Sequence, residues 1–151
     1  MKKYIFLFIF IAFVSCKTVI INQKNIFDKD GNTYFKKDMS LVNGIVKDYF
    51  ENGWLSYEGK YKDGKKVGIH KYWYEQYNAG DLASEGVYKD GELIYEKVYY
   101  DDNQLWTEGA YKDGKEEGIH KGYYYKSGKL EYEQIWKNGK LISEKKYILK
   151  K

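Results

Sequence analysis

At 151 residues the chain has room for one small domain and not for two full ones. It carries 18 Tyr, 7 Phe and 4 Trp beside 15 Gly and no Pro; Tyr and Trp favour strands, and Gly beside Asn or Asp favours tight turns, so an all-β chain of many short strands is expected. The formal charge is +4 and all 26 basic residues are Lys; without Arg for bidentate phosphate and base contacts, and with both signs interspersed, nucleic acid is a poor candidate partner.

Residues 1–15 read as an export signal. Met1-Lys2-Lys3 is a short basic start, and Tyr4 to Val14 is an apolar run. As a helix that run spans only about 17 Å, against a bilayer core of roughly 30 Å, so a cleavable segment is expected rather than a membrane span. Ser15 precedes Cys16, the one cysteine of the chain, which excludes an internal disulfide. The stretch Phe13-Val14-Ser15-Cys16 resembles the lipobox of bacterial lipoproteins, with Phe13 where that family usually has Leu. The resemblance implies cleavage before Cys16, acylation of its thiol, and attachment to a membrane in the bacterial cell envelope, on the periplasmic or outer-membrane face. Acyl chains contribute about 0.8 kcal/mol per buried methylene, enough together for stable anchoring.

Residues 16–38 are polar and read as a lipid-attached tether, with minor strands at Val19–Ile21 and Thr33–Phe35. Asp28-Lys29-Asp30-Gly31 looks like the opening of a calcium loop but lacks the later oxygen ligands and the closing Glu, so a simple turn is expected.

From residue 39 to 151 the chain repeats itself. Tyr61-Lys62-Asp63-Gly64 returns as Tyr88-Lys89-Asp90-Gly91, as Tyr111-Lys112-Asp113-Gly114 and as Trp136-Lys137-Asn138-Gly139. Glu58, Glu85, Glu108 and Glu133 each stand six residues before the glycine. Gly68-Ile69-His70-Lys71 returns as Gly118-Ile119-His120-Lys121, and the second unit is degenerate, with Leu93-Ile94-Tyr95-Glu96 in that place. Asp-Gly and Asn-Gly suit the type I′ hairpin turn, so an antiparallel meander of hairpins is expected, with almost no helix after the signal. The unit Tyr57-Glu58-Gly59-Lys60-Tyr61-Lys62-Asp63-Gly64-Lys65 resembles the MORN repeat in its bacterial variant form. That resemblance implies a non-enzymatic array that contacts proteins or membranes.

Alternation assigns roles to the repeated positions. Tyr57, Gly59 and Tyr61 share one face and Glu58, Lys60 and Lys62 the other. Gly59, Gly86 and Gly109 leave room for a ring from the next strand, and Tyr61, Tyr88, Tyr111 and Trp136 are expected to stack into a core ladder. In the following strands His70 shares a face with Tyr74, and His120 with Tyr124. A single meander cannot bury both faces, so one aromatic face is expected to stay open; His70, Tyr74, His120 and Tyr124 are its candidate binding residues.

No cofactor, metal or catalytic site is expected. Matched sites four strands apart put His70 and His120 roughly 19 Å from each other, too far to share an ion bound at about 2 Å. The recurring Glu form a ladder with Lys neighbours to neutralise them, and no nucleophile stands beside a base. The reading is an anchored module with a protein partner not identified by sequence; the alternatives are an antitoxin-like or immunity protein that neutralises a toxin, and a glycan binder using exposed Tyr and Trp.

Overall fold

The computed structural model describes residues 20–75 and 80–149. The strands are β1 (Ile20–Asn22), β2 (Ile26–Lys29), β3 (Asn32–Phe35), β4 (Gly44–Tyr49), β5 (Leu55–Lys62), β6 (Lys65–Trp73), β7 (Leu82–Lys89), β8 (Glu92–Tyr99), β9 (Leu105–Lys112), β10 (Lys115–Tyr123), β11 (Leu130–Lys137) and β12 (Lys140–Lys146). The helical content among the described residues is one 3₁₀ turn, Gln23–Asn25. Strands β4 to β12 pair in chain order as an antiparallel meander, and β1 joins parallel to β4. The fold is therefore all-β and built from tandem hairpins, as the repeats predict.

The turns follow from residue chemistry. Asp63-Gly64, Asp90-Gly91, Asp113-Gly114 and Asn138-Gly139 all have positive φ at both central positions, between 50° and 92°. That is the type I′ geometry, whose twist matches that of the flanking strands. Asp30-Gly31 has the same geometry, with φ of 51° and 73°, and closes the β2–β3 hairpin.

The expected tether at residues 16–38 is not what the structure has from residue 20 onward. Strand β1 extends the sheet, and the β2–β3 hairpin folds over one face of it. Ile21 and Ile26 join Val42, Val46, Tyr57 and Tyr61 in the buried core, with Phe35 and Tyr72 packed against them. Backbone bonds lock the hairpin to the first Asp-Gly turn: Thr33 N donates to Gly64 O at 2.7 Å, Gly64 N to Val42 O at 2.9 Å, and Val42 N to Thr33 O at 3.0 Å. The physical reason is that the first repeat has no preceding hairpin to cover its tyrosines, so the polar-looking segment supplies the lid. Each aliphatic side chain so buried contributes roughly 1.5–3 kcal/mol.

Candidate functional site

Pairing registers define two faces of the long sheet. On the first, the central row runs Val46, Gly59, His70, Gly86, Glu96, Gly109, His120, Gln134 and Glu144, one residue per strand from β4 to β12. Glycine alternates with a larger side chain because the larger one lies across it. A Cβ on Gly59 would stand 2.2 Å from the His70 ring, and one on Gly109 only 2.0 Å from that of His120. Gly86 departs from this pattern: a Cβ there would meet Tyr88 and Leu93 at 2.8 and 3.0 Å. At Gly59 and Gly109 the ring expected over the glycine is thus an imidazole.

The histidines also complete the aromatic ladder. His70 sits between Tyr61 and Tyr88, with ring centroids 5.4 and 4.7 Å away, and His120 between Tyr111 and Trp136, at 5.4 and 6.1 Å. The degenerate unit is offset by one from its sequence alignment. Glu96, not Tyr95, pairs with both Gly86 and Gly109 and takes the histidine position, and Lys97 takes that of Lys71. Burial raises the Glu96 pKa, and a hydrogen bond with Tyr111 counters it.

His70 is fully buried. Its Nε2 lies 3.0 Å from Lys60 O, an acceptor only, so Nε2 carries the proton and donates. Nδ1 then accepts from the Tyr57 hydroxyl at 2.7 Å, and the Tyr61 hydroxyl, 3.1 Å from that of Tyr57, donates to it. Burial holds the His70 pKa down at about 4, with Lys66 adding to the effect and the bond to Lys60 opposing it. His120 Nε2 makes the matching bond to Ala110 O at 2.7 Å.

Each of the four candidate binding residues has a hydrogen-bond partner within the fold. His70 is core. The Tyr74 hydroxyl donates to Tyr99 O at 2.7 Å and the Tyr124 hydroxyl to Tyr147 O at 2.9 Å. Tyr100, which the sequence reading passed over, makes the same bond to Tyr123 O at 3.0 Å. These tyrosines are clasps from one hairpin to the next, and they leave the opposite face of the sheet free of such clasps. Cys16 lies outside the described residues.

That opposite face carries a charge ladder. Lys47, Glu58, Lys71, Glu85, Lys97, Glu108, Lys121, Glu133 and Lys145 are successive cross-strand neighbours from β4 to β12, with strict alternation of sign. Lys47 and Glu58 approach to 2.7 Å, and Lys71 and Glu85 to 3.2 Å. Tyrosines brace the acids: Tyr95 and Tyr123 donate to the two oxygens of Glu108 at 2.7 and 2.6 Å, and Tyr99 donates to Glu85 at 2.9 Å. Burial works to raise the Glu108 pKa, but the bonds from Tyr123 and Tyr95 and the charges of Lys97 and Lys121 outweigh it and leave it lowered. Burial and the bonds to the acids push Tyr95 and Tyr99 up to about 12.

Beside the ladder run two apolar stretches, separated where Ala110 pairs with Glu117. Ile69 pairs with Val87, Val87 with Tyr95, Tyr95 with Ala110, and Ile119 with Ile135. Ile69, Ile119 and Ile135 are 56%, 52% and 45% exposed. Among the described residues no group of three His, Cys, Asp or Glu side chains could hold a metal ion.

No curated protein matches the chain. Among solved structures, one of an S. aureus TarM mutant in complex with Fondaparinux, alpha-GlcNAc-glycerol and UDP is similar over 78% of this chain and 21% of that one, at 10% identity and a TM-score of 0.41. This chain thus spans about a fifth of that protein's length, and so distant a likeness carries no functional argument. Residues 42–63, which hold β4 and β5, and residues 116–138, which hold most of β10 and all of β11, match the family model of the MORN repeat variant.

Proposed function

We propose that this chain is an exported, lipid-anchored and non-enzymatic binding module whose ladder face takes a protein partner. The observation that carries the reading is the division of labour between the faces. One face spends its rings on its own glycines and on the β2–β3 lid. The other leaves Ile69, Ile119 and Ile135 exposed beside alternating charges, with Ile119 and Ile135 directly paired. Exposed apolar side chains rimmed by polar groups are the composition of a protein-contact surface. An antitoxin-like or immunity role is a special case of this reading, with a toxin as the partner. The glycan alternative drew on Tyr74 and Tyr124, whose hydroxyls are already held by backbone carbonyls.

The anchor at Cys16 gives the reading a geometry. Strand β1 begins at Ile20, four residues on. Four extended residues reach at most about 14 Å, so lipidation at Cys16 would hold the β1 edge of the sheet close to the bilayer surface rather than on a long tether.

Two measurements test the proposal. Detergent-phase partitioning of the expressed chain is expected to be lost on Cys16→Ala, and partitioning that survives the change removes the anchor. The domain lacking residues 1–15 is expected to retain a protein from envelope extracts, and retention of none removes the protein-partner reading.

A further inference from the structure

Where the β2–β3 lid meets the sheet there is a recess of 220 Å³, lined by residues that include Gln23, Phe27, Asp28, Tyr57, Lys66 and Tyr72. A second recess of 210 Å³ shares Asp28 and Lys66 with it. Lys66 is partly buried on β6, on the ring face. Its Nζ donates to the Tyr72 hydroxyl at 3.1 Å and lies 4.9 Å from the Tyr88 ring centroid and 5.9 Å from those of Tyr57 and Tyr72. The lysine is thus held by aromatic faces and a phenol, yet it has no ion pair with a described carboxylate. A half-desolvated cation held this way is attractive to an anionic group. Tyr72 accepts from Lys66, which leaves its own proton to donate to the same group.

The recess is not purely anion-selective. Asp28 lines it too, with Oδ1 already accepting from the Thr33 hydroxyl, so Oδ2 remains to meet a cation. Tyr57 and Ile26 supply apolar walls. The volume equals about seven waters, below that of a drug-sized pocket. We propose that this recess binds a small zwitterion of the α-amino acid class. Its carboxylate lies on Lys66 and Tyr72, its ammonium on Asp28, and its apolar side chain against Tyr57 and Ile26. The site is separate from the ladder face and does not depend on a protein docking there.

The test is titration of the ¹⁵N-labelled domain lacking residues 1–15 with L-leucine, read from backbone amide shifts at Gln23, Asp28, Lys66 and Gly91. Gly91 reports because its N–H donates to Lys66 O at 3.0 Å. Saturable shifts are expected in the native chain. Lys66→Met and Asp28→Asn are each expected to weaken binding at least tenfold, and Lys66→Arg to retain part of it. Acetate and methylamine, each carrying half the recognition, are expected to bind at least tenfold more weakly than leucine. Unsaturable shifts in the native chain overturn the proposal, as does undiminished affinity in Asp28→Asn and in both Lys66 variants. Acetate or N-acetylglucosamine binding as tightly as leucine also overturns it.

Discussion

Gly109 has no room for a methyl group, because the nearest atoms to a Cβ there all belong to the His120 ring, at 2.0 to 2.4 Å. Gly109→Ala is therefore expected to destabilise the domain by about 2 kcal/mol or more, as overpacking of a closed site does. In a His120→Ala background the same change should cost well under half as much, and urea unfolding of the four proteins measures that coupling. Additive costs would mean that the ring does not occupy the glycine's space. His70 makes a second prediction. Burial holds its folded pKa at about 4 against the 6.5 of a free imidazole, so between those values the unfolded chain binds a proton that the folded chain refuses. Its contribution is whole above pH 6.5 and declines, by about 3 kcal/mol in all, as the pH falls to 4. Glu96, raised by burial, acts in the opposite direction around the carboxylate range. His70→Gln should flatten the dependence of unfolding free energy on pH in that window, whatever it does to stability at neutral pH. The need for a ring over Gly59 and Gly109 was legible in the sequence, because the same glycine recurs in each unit. That the ring is histidine was not. Gly68 and Ile69 oppose nothing on β5, where the pairing jumps from Lys60–Val67 to Gly59–His70. Alternation within a strand cannot reveal such a bulge, and so cannot relate the faces of successive strands.

At the scale of the hairpin, turn chemistry and charge both set register. A one-residue slip would turn every ladder residue to the other face and bring the rings out. The alternating row reinforces the correct pairing, since like charges directly opposite each other are unfavourable. Its worth per pair is modest at the exposed end, where Lys145 is open to solvent. It is larger at Glu108, which accepts from two tyrosines. Glu108→Lys would set three lysines in a row, with Lys97 and Lys121 on either side, and strip Tyr95 and Tyr123 of their acceptor. The expected loss is about 2–3 kcal/mol, partly relieved by salt, and Glu108→Gln should cost less. Chemical denaturation at low and high ionic strength reads both. The recurring Glu was visible in the sequence as a ladder position, and its Lys partners as neighbours. The direct cross-strand alternation came only with the registers.

For the molecule as a whole, the division between faces is the main result. The buried core sits at one end, under the β2–β3 hairpin, while every residue of β12 is exposed. From β8 onward the sheet is a single layer held by ring-over-glycine contacts, clasping tyrosines and the charge ladder. The sequence shows minor strands close to β1 and β3 but not that they pack against the sheet, because the strands are three and four residues long and their apolar residues Ile21, Ile26 and Phe35 follow no period. His70 is the one candidate that burial removes: an imidazole looks like a binding group until its partners are known. The proposal that the ladder face receives a protein is tested most directly by comparing retention of the envelope partner by three folded domains. These are the native chain, Ile69→Lys with Ile119→Lys on the ladder face, and Gln134→Lys on the ring face. The account predicts that the double variant loses the partner by at least tenfold while Gln134→Lys keeps it; the reverse pattern, or full retention by the double variant, would contradict it.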